Sequence, residues 1–156
     1  MLRFSCYPFD QLSQYELYEI MALRQAVFVV EQNCAYLDAD GKDLRSWHLM
    51  GRNDEGELLC YTRLLPEGLS YAGYTSIGRV VSSPAARGTG AGKALMQRSM
   101  DMCLLLFGPK PIKIGAQSYL LQFYEGFGFK STGEAYLEDG IPHTKMTWEP
   151  EVTDNQ

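Results

Sequence analysis

Residues 87–92 read RGTGAG and run directly into KALMQRSM. Three glycines alternate with small residues behind an arginine, at the entry to an amphipathic run. That arrangement suits an anion. A helix N-terminus presents unpaired N–H groups and a partial positive charge. Glycine lets a phosphate approach the backbone closely, and Arg87 adds a permanent cation that can fork to a phosphate oxygen. Two phosphate motifs are excluded by position. A Walker A loop ending at Gly92-Lys93 requires glycine at 87 and a hydroxyl residue at 94, where Arg87 and Ala94 stand. The dinucleotide pattern from Gly88 requires glycine at 93, which is Lys93. A glycine-rich helix entry with no ligand is the competing reading.

Other side chains could move protons. Tyr124 lies in FYEGFGF, among Phe123, Phe127 and Phe129, where a packing role competes with a chemical one. Glu31, His48, Glu138 and His143 are candidate bases, although a lone glutamate is usually solvated and a strand histidine usually structural. Metal chemistry is not expected. DADGKD places its glycine too early for a calcium loop, and two distant histidines without H-E-x-x-H do not make a zinc site. The four cysteines (Cys6, Cys34, Cys60, Cys103) are scattered without C-x-x-C, which fits free thiols in a reducing cytoplasm.

The elements that must position these residues alternate in type. LRFSCY is a strand candidate, and SQYE carries a capping pattern ahead of a helix from Ser13 that should end near Arg24–Phe28, where AVFVVEQ turns β-branched. Residues 32–46 read as a loop. WHLMGR and ELLCYTRLL flank the turn NDEG, and TSIGRVVSS is a strand stopped by Pro84. Residues 90–107 carry Met96, Met100, Cys103 and Phe107 at helical spacing before Gly108-Pro109. IKIGAQ is a strand, YLLQFYEGFGF a short helix, and GEAYLE and HTKMTWE a hairpin about Asp139-Gly140. The order β-α-β-β-β-α-β-α-β-β predicts an α/β (α+β) layered domain around a mixed sheet. Residues 1–150 form one domain and 151–156 a solvated tail. A chain of 156 residues buries about 68–70% of its unfolded surface and needs no staple. The net charge of -5 and the absence of a basic cluster argue against nucleic acid or an anionic membrane as the partner. The N-terminus lacks an export signal, and no apolar run approaches the ~20 residues of a membrane span, so a cytoplasmic protein is expected.

Arg87, Gly90 and Gly92 fit [QR]-x-x-G-x-[GA], and the segment AQSYLLQFYEGFGF follows downstream. Together they resemble the GNAT acetyltransferase superfamily. LRQAVFVVEQ, GRVVSS, FYEGFGF and EDGIPH resemble, more narrowly, its ElaA-like group, over residues 20–147. The resemblance implies the GNAT fold, with a central, mostly antiparallel mixed sheet flanked by helices, and acetyl-CoA as cofactor. Its diphosphate would lie on Arg87, Gly88, Thr89, Gly90, Ala91, Gly92 and Lys93, with the pantetheine arm along Arg79, Val80 and Val81, and Gln117, Phe123 and Tyr124 nearby. The amide of Val81 would be the oxyanion donor, and Tyr124 would protonate the departing thiolate. The acceptor would be a primary amine of a small molecule or peptide, met by residues 28–46 and 136–145. Phe28, Glu31, His48 and His143 would bind it, with Glu31 and His143 as catalytic candidates. GNAT domains often pair, which leaves a homodimer open.

The front half also resembles acyl-homoserine-lactone synthases, through Arg24, Phe28, Asp40, Asp43 and Arg63. The tryptophan expected soon after Phe28 is missing, and Thr75 or Ser76 stands where an acidic residue would precede Arg79. A third reading is an acyl-CoA-binding module without catalysis.

Overall fold

The computed structural model describes residues 1–151, so most of the expected tail lies outside the described residues. Strands β1 (Arg3–Pro8), β2 (Trp47–Arg52), β3 (Leu58–Leu65) and β4 (Ser76–Ser82) form one antiparallel sheet in that order. Strands β5 (Ile112–Gln117), β6 (Lys130–Glu138) and β7 (Ile141–Trp148) form a second, with β7 in the middle. Helix α1 (Gln14–Arg24) precedes β2, α2 (Ala91–Phe107) connects β4 to β5, and the short α3 (Leu121–Glu125) precedes β6. The expected order of elements is the observed one.

Local chemistry accounts for most boundaries. Ser13 Oγ accepts the Glu16 amide at 3.0 Å while the Glu16 carboxylate accepts the Ser13 amide at 2.8 Å, a complete capping box on α1. Asp139 and Gly140 both take left-handed φ values, 50° and 78°, as a two-residue hairpin turn requires. The exit of α1 differs from expectation. The β-branched run does not leave the helix; the chain widens into a π turn, Gln25–Glu31. Val27 and Phe28 thereby bury against Ile20, Met50, Tyr61 and Val81, and this packing outweighs their poor helix propensity.

Among the described residues the two sheets are joined by backbone hydrogen bonds at one bridge. Thr75 and Ile112 form an isolated parallel bridge, in which the Thr75 amide donates to Pro111 O at 3.0 Å and the Lys113 amide to Thr75 O at 2.9 Å. Beyond it β4 and β5 part. Helix α2 fills the wedge on one side. Its buried Met96, Met100 and Cys103 pack with Leu64, Ile77, Ile112, Ile114, Phe129 and Met146 in the main core, while Leu95 joins Leu49 and Cys60. Ser99 Oγ meets Thr62 Oγ1 at 2.7 Å across that interface, so the buried hydroxyls satisfy each other. Among the described residues no helix is long and apolar enough to cross a membrane.

Candidate active site

The parting of β4 and β5 opens a cavity of about 1000 Å³. Ser76–Ser82 wall it on one side, and Ile114, Gly115, Gln117, Tyr136 and His143 on the other. The π turn and the chain after it, through Val27, Phe28, Glu31 and Tyr36, complete the enclosure.

Register decides which backbone groups reach this cavity. Ser82 pairs with Cys60 and Val81 with Tyr61, and the Ser83 amide donates to Leu59 O at 2.7 Å. In an antiparallel ladder alternate residues point to the same neighbour. Val81 therefore turns its amide toward β3, and its side chain is buried in the α1 core. The expected donor at Val81 is corrected: Ser82 directs its amide and carbonyl to the open edge. The β3–β4 register slips between Tyr61 and Arg63, so Arg79 and Val80 share one partner position. Arg79 takes φ 49°, a strained value for a non-glycine residue. Its side chain holds the distortion through Asp38, with Nε at 2.8 Å from Oδ1 and Nη2 at 3.1 Å from the carbonyl.

At the upper end of β4 stands the glycine turn. Gly90 caps α2 with φ 85°, Gly88 has φ 76°, and no side chain caps the helix, in contrast to α1. A Cβ at Gly88 or Gly90 would meet nothing within 4 Å, so glycine serves the backbone angles at these positions. A Cβ at Gly92 would lie 3.9 Å from Phe123 Cζ, in ordinary contact. Arg87 and Gly92 line the cavity; Thr89 Oγ1 donates to the Ala86 carbonyl, and the side chain of Lys93 is exposed to solvent. Open amides at an uncapped helix end, with a cation beside them, fit a diphosphate.

Gln117, Phe123 and Tyr124 all reach the cavity wall. Tyr124 is 5% exposed and packs edge-on against Phe123 and Phe129, at centroid distances of 5.2 and 6.1 Å. Burial pushes its phenol up to about 12. Packing and cavity access therefore coexist at this residue.

The opposite wall is one face of the second sheet. Gln117, His143 and Tyr136 lie side by side across β5, β7 and β6. The Tyr136 ring stacks on His143 at 5.5 Å, and its hydroxyl lies over Gly115, where any side chain would collide with it. Tyr71, from the β3–β4 connection, reaches the same place. Neither Tyr71 nor Tyr136 was expected here from sequence; the alternation of β6 puts Glu134, Tyr136 and Glu138 on one face, but not which way that face looks. Phe28, Glu31 and His143 line the cavity.

His48 does not. It is 1% exposed, with Nδ1 2.6 Å from Tyr61 Oη and Nε2 2.9 Å from Asp43 O. Burial lowers its pKa, so it is a neutral structural residue on the buried face of β2 rather than an acceptor ligand. It belongs to a buried ionic cluster built from the other front-half residues. Arg24, fully buried, reaches Asp38 and Asp43 at 2.7 Å each, and Arg63 reaches Asp40 at 2.7 Å and Asp43 at 3.0 Å. Every carboxylate there has an arginine, so the cluster anchors residues 38–43 against α1, β3 and β4.

Comparison with known proteins agrees with this geometry. Residues 43–150 match the acetyltransferase (GNAT) domain family. The Escherichia coli protein ElaA is 44% identical over 143 residues, covering 90% of this chain and 92% of ElaA. Its crystal structure superposes with a TM-score of 0.87 over 96% of this chain and 100% of that one. An acyl-CoA N-acyltransferase from Pseudomonas aeruginosa superposes with a TM-score of 0.88 at 43% identity, over 95% of this chain and 99% of its own. A cleft parted at one bridge, an uncapped helix under a glycine turn and these likenesses over nearly the whole length converge: the chain belongs to the GNAT acetyltransferase family, as an ElaA-like acyltransferase.

Proposed function

We propose that this protein is an acetyl-CoA-dependent N-acetyltransferase whose acceptor is a primary amine on a small molecule or peptide. The observation that carries this reading is the open inner edge of β4 lying beside the uncapped N-terminus of α2. Acetyl-CoA supplies the activated thioester. In this reading Arg87 and the amides of residues 88–93 hold its diphosphate. Ser82 offers the amide and carbonyl to which an extended arm can pair, and its N–H is the donor available to a carbonyl there. Phe28 and Phe123 exclude water. Tyr124, pushed up to about 12, is a weaker acid than a free thiol near 8.5. It therefore serves as a relay, giving its proton to the departing sulfur as it receives one from the new amide nitrogen.

The test is a thermal-stability shift with acetyl-CoA on wild type, Gly92→Ala and Gly92→Glu. Gly92 lies inside α2, so either side chain is accommodated without backbone strain. Ligand at 100 times its dissociation constant adds about 2.7 kcal/mol. Wild type and Gly92→Ala should shift, and Gly92→Glu should not, because its carboxylate faces the diphosphate. Turnover is then read as free thiol released beyond one equivalent with an amine present. A wild type that does not shift overturns the proposal.

A further inference from the structure

We propose that His143 is the general base of this transfer and that Glu138 receives the acceptor's ammonium group; the inference rests on the acetyl-transfer reading above. Four side chains were candidates for the base, and the geometry separates them. Glu31 is paired with Arg87 through both carboxylate oxygens, which makes it a weaker base. His48 has both ring nitrogens engaged in the core. Glu138 is an exposed carboxylate, a poor match to an ammonium proton. His143 alone among the four combines cavity access with a ring nitrogen, Nε2, that meets only the carboxylate of Glu138.

The tautomer follows from its partners. Nδ1 lies 2.7 Å from the Ile141 carbonyl, which can only accept, so Nδ1 carries the proton. In the neutral ring Nε2 then carries the lone pair, and it lies 3.4 Å from Glu138 Oε2, which can hold the proton-bearing form once the base has acted. The stacked Tyr136 ring fixes the plane of the imidazole. The height along the cleft also agrees. Counting up β5 from Ile112 to Gln117, and up β4 from Thr75 with one residue absorbed by the bulge, brings Gln117 level with Val81. His143 is the cross-strand partner of Gln117, and both line the cavity across from Val81 and Ser82. An ammonium entering between them meets a carboxylate and a proton acceptor together.

The step balances as follows. One N–H bond of the ammonium breaks as Nε2–H forms, and Glu138 stabilises the resulting imidazolium. The freed lone pair forms the C–N bond at the thioester carbon, the C–S bond breaks, and sulfur leaves with its electron pair. A second nitrogen proton balances the one taken up by sulfur, and Nε2 releases its own to water.

The test measures acetyl-CoA-dependent thiol release with three amines, namely butylamine, 1,4-diaminobutane and a lysine peptide with a free N-terminus. Acetyl-CoA affinity is measured in parallel by calorimetry. His143→Ala should lower kcat by about 10²–10⁴-fold while leaving acetyl-CoA affinity within twofold, and added imidazole should restore part of the rate. Glu138→Gln should raise the KM for the amine more than it lowers kcat. His143→Ala turning over within threefold of wild type, or losing acetyl-CoA binding, overturns the assignment. Should that variant fail to fold, the imidazole ¹⁵N shifts of the wild type decide: a neutral ring protonated at Nδ1 supports the proposal and one protonated at Nε2 overturns it. A wild type that binds acetyl-CoA but acetylates none of the amines removes the transfer reading, and this proposal with it; an active wild type with an equally active His143→Ala removes only the base.

Discussion

Arg87 and Glu31 clasp one another across the mouth of the cleft, both guanidinium Nη atoms facing both carboxylate oxygens. One residue comes from the glycine turn and the other from the end of the π turn. The hydrogen bonds from Arg87 hold the Glu31 carboxyl below its ordinary range. The cation best placed for a diphosphate is thus already engaged, and an arriving anion must compete with Glu31. Removing the competitor should tighten binding. Glu31→Gln is expected to bind CoA about two- to fivefold more tightly, in keeping with the modest strength of exposed pairs, whereas Arg87→Gln should bind it more weakly. Calorimetry at low salt checks both, and a Glu31→Gln affinity equal to wild type removes the competition.

Asp40 ties acid stability to the buried cluster. Burial opposes its ionisation, but hydrogen bonds and charge from Arg63, with Arg79 nearby, bring its carboxyl down to about 2. Its folded value lies below the unfolded value near 3.9. The stabilisation is therefore present above about pH 4 and is lost as pH falls toward 2, on the order of 2 kcal/mol. Urea denaturation at pH 6, 4 and 2.5 should show a steeper acid loss for wild type than for Asp40→Asn. Parallel losses would contradict this account.

Gly115 sets the room beneath Tyr136. A methyl there collides with the end of the Tyr136 side chain rather than with backbone, so the ring must swing away. Gly115→Ala should fold and bind acetyl-CoA as wild type does, while its KM for an amine rises severalfold. Unchanged amine kinetics would place the acceptor elsewhere.

The four thiols should differ sharply in reactivity. Burial raises Cys6 and Cys60 to about 11 and Cys103 to about 12, which suppresses their thiolates. Native protein treated with iodoacetamide at pH 8 should be labelled at Cys34, which is only part-buried and donates to the Asp139 carbonyl. All four should react in urea. Mass mapping reads the result, and rapid native labelling of Cys103 would show that α2 packs more loosely than described.

What could be read from sequence was what local chemistry decides. The capping box at Ser13, the Asp139-Gly140 hairpin and the glycine entry to α2 each act within a few residues, and each is where expected. The π turn at 25–31 was not legible, because burial of Val27 and Phe28 against distant Tyr61 and Val81 overrides local propensity. Val81 and Ser82 differ by one step of strand parity, which only the pairing with β3 determines. His48 and His143 look equivalent as strand histidines; one faces the core and the other the cleft because they sit in different sheets.

An unpaired strand edge is ordinarily a hazard, since its free amides and carbonyls invite any passing chain to add itself as the next strand. Proteins commonly blunt such edges with charge, proline or a bulge. Here the open edge of β4 is turned inward, walled by the second sheet and guarded at its exit by the Arg87–Glu31 clasp. The edge of β4 that would otherwise recruit a neighbouring molecule is thereby reserved for what enters the cleft.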